Sequence, residues 1–113
     1  MRFKNDKQKA VATTELLKRL AIDQLNGGCG LRTKELRGTP LFHGERTLSS
    51  RQIIELLDAS DEAAKTLEGA GARTFYLWRL KTPDKALEYA HKPVPTWVEA
   101  HIPLIHEVGQ FVQ

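Results

Sequence analysis

The side chains best suited to binding chemistry in this sequence are cations between residues 46 and 81. Arginine and lysine carry positive charge and N–H donors, and both bind phosphate oxygens. The candidates for phosphate contact are Arg46, Arg51, Lys65, Arg73, Arg79 and Lys81. If about six such contacts lie on one surface, the affinity for nucleic acid should fall roughly a thousandfold when the salt concentration rises from about 50 to 200 mM. These residues therefore favour binding of a polyanion over catalysis.

Positive charge is concentrated in the front half of the chain. The 113 residues carry a formal charge of +3, but residues 1–51 hold 11 Lys or Arg against 5 Asp or Glu, whereas residues 52–113 hold 6 against 9. Such asymmetry suits a surface turned toward a polyanion, of which nucleic acid is the commonest in the cytoplasm. A solvated N-terminal helix would produce the same pattern, so both interpretations stay open.

The sequence lacks motifs for catalysis or metal binding. It contains no GxxxxGK phosphate loop, no nucleophile elbow and no His-Glu zinc motif. Its lone Cys29 has no partner for a disulfide or a CxxC metal site. The histidines at positions 43, 91, 101 and 106 lack the spacing that aligns ligands on one helix face. We therefore predict no enzymatic activity, no cofactor and no metal.

The hydropathy pattern predicts a cytoplasmic protein. No apolar run approaches the roughly 18 to 20 residues that span a bilayer, and the N-terminal MRFKNDKQKA is charged, with no apolar signal core behind it. We expect no membrane association. The composition supports a folded domain, since 41% of the residues are hydrophobic and 27% are charged, close to the average for globular proteins.

The front of the chain predicts a long helix followed by a connector. Apolar residues recur at mostly three-, four- and five-residue steps between Lys7 and Leu25, which indicates an amphipathic helix that ends at Asn26. Its apolar positions are Val11, Leu16, Leu17, Leu20, Ile22 and Leu25. The glycine-rich connector that follows contains a short helix near residues 33–37 and a brief strand at 41–43.

A capped helix is predicted after the connector. The hydroxyl of Thr47 or Ser49 can accept a hydrogen bond from a free amide in the first helical turn. Ile53 and Leu57 then lie on the apolar side of the helix, which ends near Asp58.

A second short helix, a strand and a third short helix complete this part of the sequence. Ser60 is followed by two acidic residues, which favour the positive end of a helix dipole, so a helix is expected from Ser60 to the glycines of residues 69–71. Its inward residues are Ala63, Ala64 and Leu67. Residues 73–81 alternate as a strand covered on much of both faces. A proline at position 83 then starts a helix that ends near Ala90.

The stretch LSSRQIIELLDAS, residues 48–60, resembles the helix-and-turn segment of winged-helix and other helix-turn-helix DNA-binding proteins. Position for position it looks like the common pattern L-T-S-x-x-I-A-x-L-L-x-x-S, from which it differs at the second and seventh positions. The following LEGAG is similar to the sequence that closes the recognition helix in many winged-helix regulators, and TFYLWRLK would be the first wing strand. The resemblance covers about 35 of the 113 residues.

This resemblance implies an α+β, mainly helical fold: a winged-helix-like helix-turn-helix with a short β-wing. It also implies double-stranded DNA as the partner, as for a transcriptional regulator of bacterial, phage or plasmid type. The sequence departs from the family at the expected recognition helix, which is short and begins with Asp61 and Glu62. Carboxylates there repel phosphates, so we expect the phosphate contacts to come from the arginines and lysines on either side.

The last part of the chain is unusually apolar. We predict a winged-helix-like domain over residues 1–92 and a C-terminal extension over residues 93–113 that packs on the core or on a partner subunit. The candidate partner-binding residues are Trp97, Ile102, Leu104 and Phe111. A homodimer is one outcome of such packing. The alternative to DNA binding is a protein-interaction module, an inhibitor of a host factor or an adaptor, on the same helical scaffold.

Overall fold

The computed structural model describes residues 3, 6–39, 41 and 47–93, and in this part of the chain the fold is α+β. Four α-helices accompany three antiparallel strands, which lie in the order β1-β3-β2. The elements are α1 (Asp6–Leu25), β1 (Leu31–Arg32), α2 (Thr33–Leu36), α3 (Ser50–Asp58), β2 (Ala63–Ala70), β3 (Arg73–Leu80) and α4 (Ala86–Ala90), the last preceded by a 3-10 turn over Pro83–Lys85.

The long helix α1 forms one side of the core. Its buried residues include Leu16, Leu17 and Leu20, as the spacing predicts. The same prediction is wrong for Ile22 and Leu25, which are 37% and 51% exposed. Ile22 lies beside the buried face of the helix, and Leu25 is its last residue, next to the exposed loop. That loop folds back on α1, since the carboxylate of Asp23 accepts a hydrogen bond of 3.1 Å from the Gly30 N–H.

The helix α3 begins and ends where its sequence predicts. Ser49 caps it, because the Gln52 N–H donates to the Ser49 hydroxyl at 3.3 Å and the Ser49 N–H donates to the Gln52 side-chain oxygen at 3.1 Å. Ile53 and Leu57 are buried, as predicted. The short helix α2 also lies inside its predicted span.

The predicted helix from Ser60 to Gly69 is wrong, because residues 63–70 form strand β2. This strand pairs antiparallel with β3, from Ala63 opposite Leu80 to Ala70 opposite Arg73. The segment has helix-forming composition, but the aromatic strand β3 supplies a hydrogen-bonding partner, and tertiary pairing outweighs local propensity. The two-residue turn begins with a glycine at position 71, which has a positive φ of 60°, and glycine adopts such turns without strain.

The roles expected for two other stretches of this hairpin also differ from those in the structure. The LEGAG stretch closes no helix; it forms the end of β2 and the start of the turn. The TFYLWRLK stretch is the second strand of the hairpin, whereas the resemblance to winged-helix proteins implies the first. Its alternation is as predicted, with Tyr76, Trp78 and Leu80 turned toward the helices, since Trp78 and Leu80 are buried.

The core lies between the sheet and the helices and is centred on Trp78, which is 1% exposed. Its indole N–H donates a hydrogen bond of 2.8 Å to the Thr33 hydroxyl, the first residue of α2. Trp78 also pairs with Leu31 of β1 in the sheet. Trp78 therefore joins the sheet to the short helix that precedes α3.

The helix α4 packs on α1 and buries Ala86 and Tyr89. Lys18 of α1 donates a hydrogen bond of 3.1 Å to the carbonyl of Lys92, just after the helix. No helix in the described part of the chain is long and apolar enough to cross a membrane. Positions 42 and 43 of the predicted brief strand, and all of the C-terminal extension after residue 93, lie outside the described residues.

Candidate nucleic-acid interface

The helix α3 packs against α1 and α2 and contacts β2 of the hairpin. At the end of the helix, Asp58 forms an ion pair with Lys65 near the base of the hairpin. At its start, Ser50 and Ile54 line a cleft together with Phe75 and Tyr76, which lie nearer the turn. The start of α3 therefore lies near Phe75 and Tyr76 on the β1 side of β3, and its end lies near β2.

Lys65 is already engaged by neighbouring groups. Its Nζ lies 2.6 Å from the Asp58 carboxylate and 4.5 Å from the centre of the Tyr76 ring. The hydrogen bond to Asp58 raises the pKa of Lys65 above its usual value, an effect that partial desolvation opposes. Lys65 is thus charged at neutral pH, but Asp58 balances that charge locally.

Arg51 lies in the first turn of α3 and is open to solvent. Its Nε is 3.2 Å from the Glu55 carboxylate, and the two side chains are 88% and 64% exposed. An exposed pair one helical turn apart contributes little stability, so a phosphate can replace Glu55 at small cost. Among the predicted cations, Arg51 is therefore well placed to contact a ligand that approaches the start of α3.

The other predicted cations of the hairpin lie far apart. Arg73 is exposed beside the turn, whereas Arg79 is near the other end of β3, about 20 Å away at roughly 3.4 Å per residue. Arg79 lines a small pocket that also contains Asp23. Lys81 follows the strand, and its backbone N–H donates a hydrogen bond of 2.9 Å to the Glu62 carbonyl at the base of the hairpin.

The described structure therefore does not bring all the predicted cations to one place. Arg51 and Arg73 lie toward the start of α3 and the turn, Lys65 lies between α3 and the sheet, and Arg79 and Lys81 lie at the hairpin base. The remaining predicted site residues lie outside the described residues, namely Arg46, Trp97, Ile102, Leu104 and Phe111. Their roles stay predictions.

Two cations that sequence reasoning passed over lie at the start of α2. Arg32 and Lys34 are exposed and line the same cleft as Ser50 of α3. The Arg32 guanidinium lies over the Phe75 ring, with its Cζ 3.9 Å from the ring centre. The basic stretch LRTKELR was a usable signal, but its position in a connector gave no indication that it packs beside β3.

The cleft between α2, α3 and β3 is compact and basic, and we call it the α2–α3 groove. It has a volume of about 290 Å³. Its described lining residues are Arg32, Thr33, Lys34, Ser50, Ile54, Phe75 and Tyr76. None of these residues is acidic, and the nearby Glu35 carboxylate accepts a hydrogen bond of 3.1 Å from the Arg32 backbone N–H. The groove thus combines two cations with two aromatic rings.

A second cleft lies on the other side of α3. It has a volume of about 430 Å³ and lies between α1 and α3. Its lining includes Phe3, Ala10 and Leu56 together with the opposite charges of Lys9 and Glu55. The charged side chains of this cleft balance, whereas those lining the α2–α3 groove are all cationic.

Comparisons with known proteins give no function for this site. No protein-family model matches the chain, and neither the curated proteins nor the solved structures contain a significant match. Among the described residues, no three His, Cys, Asp or Glu side chains lie close enough together to hold a metal ion.

Proposed function

We propose that this protein binds double-stranded DNA through a winged-helix-like arrangement, with α3 as the recognition helix and the β2–β3 hairpin as the wing. The function that fits this arrangement best is transcriptional regulation. The resemblance to winged-helix proteins implies a capped helix, a recognition helix and a β-wing; because the expected recognition helix is strand β2, the proposal gives the recognition role to α3. The observation that carries the proposal is the contact of α3 with the hairpin through Asp58 and Lys65, together with the exposed Arg51 in the first turn of the same helix.

The charges at the start of α3 support this proposal. Helix-turn-helix proteins contact bases with the N-terminal residues of the second helix. In α3 these residues include Ser50 and Arg51, and arginine can donate two hydrogen bonds to guanine. Asp61 and Glu62, which argued against DNA contact, precede β2 instead of starting a recognition helix. The repulsion expected from a helix that begins with two carboxylates therefore does not apply.

Arg73 beside the hairpin turn supplies a second contact point. A wing that reaches the DNA backbone needs a cation near its tip, and Arg73 is exposed there. Arg79 lies on the same strand and, by the alternation of side chains, on the same face, but about 20 Å away. We therefore assign phosphate contact to Arg73 and not to Arg79.

The test is fluorescence anisotropy of a labelled random duplex at about 50 and 200 mM salt. Arg73→Gln should weaken binding severalfold and reduce the salt dependence by about one counterion, whereas Arg79→Gln, the matched control, should leave both unchanged. Equal effects of the two substitutions would reject the hairpin tip as the contact. Absence of duplex binding at the lower salt concentration would reject the DNA-binding function itself.

A protein-interaction module is the second candidate. The observation that favours it is the apolar cleft between α1 and α3, lined by Phe3, Ala10 and Leu56, because such clefts suit the side chains of a partner protein. Dimerisation through residues 93–113 is a related proposal. Light scattering of the intact chain and of a chain ending at Lys92 tests it, since loss of a dimer only in the shorter chain is expected.

A further inference from the structure

We propose that the α2–α3 groove binds a single nucleotide unit, with an unpaired base against its aromatic wall and a phosphate against its cations. The ligand class is therefore a nucleotide, either free or as an unpaired residue of a single strand. The ligand differs from the duplex proposed above, because one base and its phosphate occupy the groove without a double helix, although both sites include Ser50 at the start of α3.

The cationic side of the groove suits a phosphate. Arg32 and Lys34 both line it and are exposed, and the described lining contains no carboxylate to compete with a ligand. Ser50 adds a hydroxyl and marks the start of α3, where the helix dipole contributes partial positive charge. Three independent features therefore attract an anion to the same cleft.

Arg32 is arranged for binding before a ligand arrives. Its guanidinium lies over the Phe75 ring, 3.9 Å from the ring centre. Stacking on an aromatic ring restricts the long arginine side chain, so less conformational freedom is lost when its N–H groups bind phosphate. A planar guanidinium held in this way also offers a surface on which a base can stack.

The aromatic side of the groove suits a base. Phe75 and Tyr76 are both half-buried and adjacent in β3, so their side chains lie on opposite faces of the strand and border the groove from two sides. The Phe75 ring is covered by the Arg32 guanidinium, so the base stacks on that guanidinium or on the Tyr76 ring. Ile54 completes the apolar wall. Stacking on aromatic side chains binds unpaired bases with little dependence on sequence, because every base has a flat π surface.

The size of the groove limits the ligand to about one nucleotide. Its volume of about 290 Å³ is just below the usual range for small-molecule clefts, roughly 300 to 1,000 Å³. A base in a duplex is paired and stacked on both sides, so its faces are not available to the groove. The preferred strand is therefore single-stranded or locally unpaired.

The experiment is nuclear magnetic resonance titration of the ¹⁵N-labelled full chain at low salt. The probes are an oligo(dT) of about ten nucleotides, thymidine 5′-monophosphate and inorganic phosphate. We expect oligo(dT) to shift the amide signals of Thr33, Ser50 and Phe75. If thymidine monophosphate causes the same shifts, the site takes free nucleotides; if only oligo(dT) does, the site takes a nucleotide within a strand.

Two sets of variants separate the base from the phosphate contribution. Tyr76→Leu should weaken oligo(dT) binding at least about fivefold, the lower limit for loss of one base-stacking contact. The double substitution Arg32→Gln with Lys34→Gln should weaken it by at least about tenfold, whereas Arg37→Gln, at the other end of α2, should have little effect. Amide spectra of the free variants show whether each retains the fold.

Three results would overturn the proposal. One is that no probe shifts the groove amides. Another is that inorganic phosphate alone reproduces the shifts while Tyr76→Leu changes nothing, because the groove would then be a simple anion site. The third is unchanged affinity in the Arg32 and Lys34 double variant. Duplex binding is measured in a separate anisotropy titration with Arg73→Gln. A groove that binds no nucleotide can therefore be distinguished from a protein that binds no duplex.

Discussion

Lys65 Nζ lies 2.6 Å from Asp58 Oδ1, and this ion pair joins the third residue of β2 to the last residue of α3. The helix and the hairpin are the two elements proposed to contact DNA. This contact therefore joins the C-terminal end of the helix to the base of the hairpin and leaves the start of the helix and the hairpin turn open to a ligand.

Removal of the Asp58 charge should lower the pKa of Lys65. The hydrogen bond to Asp58 is the main cause of the raised pKa in the native chain, so Asp58→Asn should return the pKa toward the ordinary lysine value of about 10.5. Lysine side-chain chemical shifts measured against pH provide the values. Lys85, whose pKa is raised by a hydrogen bond to Glu62, is the internal control and should not change.

The same pair predicts a weak dependence of stability on alkaline pH. A lysine whose pKa is raised on folding holds its proton more tightly in the folded state. Its stabilisation is therefore complete below the unfolded pKa, near 10.5, and is lost as the pH rises through the higher folded value. Urea unfolding at pH 9 and at pH 11 should show a smaller alkaline loss for Asp58→Asn than for the native chain. An equal loss would show that Lys65 is not the titrating group.

Gly69 and Gly71 should respond very differently to alanine. Both have positive φ angles, 94° and 60°, but a Cβ at Gly69 would overlap the Arg73 carbonyl across the hairpin, whereas one at Gly71 would meet no atom within 4 Å. We expect Gly69→Ala to lower the free energy of unfolding by about 2 kcal/mol or more, and Gly71→Ala by about 1 kcal/mol. Urea unfolding followed by circular dichroism measures both; equal losses would contradict the register of the turn.

Thr33→Val should destabilise the fold by about 1 to 2 kcal/mol, because it leaves the buried Trp78 indole N–H without its hydrogen-bond acceptor. Thr33→Ser keeps the hydroxyl and should cost much less. In a double-mutant cycle with Trp78→Phe, the Thr33→Val cost should largely disappear, since no N–H then remains to be satisfied. A Thr33→Val cost that persists in the Trp78→Phe background would mean that packing of the threonine, and not the bond, is responsible.

The helices were predictable from sequence because their signals are local. The periodic leucines of α1 and the serine cap of α3 each act within a few residues along the chain. The β2 strand was not predictable in this way, since its AAKTLE sequence favours a helix and its strand form depends on pairing with Trp78 and its neighbours. In residues 63–70 the local propensity favours a helix, but pairing with β3 determines the structure.

The candidate site was less predictable than the fold. Arg51 and Arg73 were identified by charge alone, but nothing in the sequence separates Arg73 at the turn from Arg79 at the hairpin base until the strand boundaries are known. Arg32 was missed because its environment is made by Phe75, a residue 43 positions later in the chain. Charge is visible in a sequence, whereas its neighbours depend on the fold.

Opposite changes in duplex affinity should follow from neutralising the two members of the Arg51–Glu55 pair. Arg51→Gln removes a proposed DNA contact and should weaken binding severalfold, with a salt slope smaller by about one. Glu55→Gln removes a carboxylate from the exposed side of the same helix and frees Arg51, so it should strengthen binding severalfold. Anisotropy titrations at two salt concentrations measure both effects. Glu88→Gln, on the exposed surface of α4, makes the same charge change away from α3 and should alter affinity much less. If Glu55→Gln and Glu88→Gln strengthen binding equally, only the net charge of the protein matters, and α3 does not face the DNA.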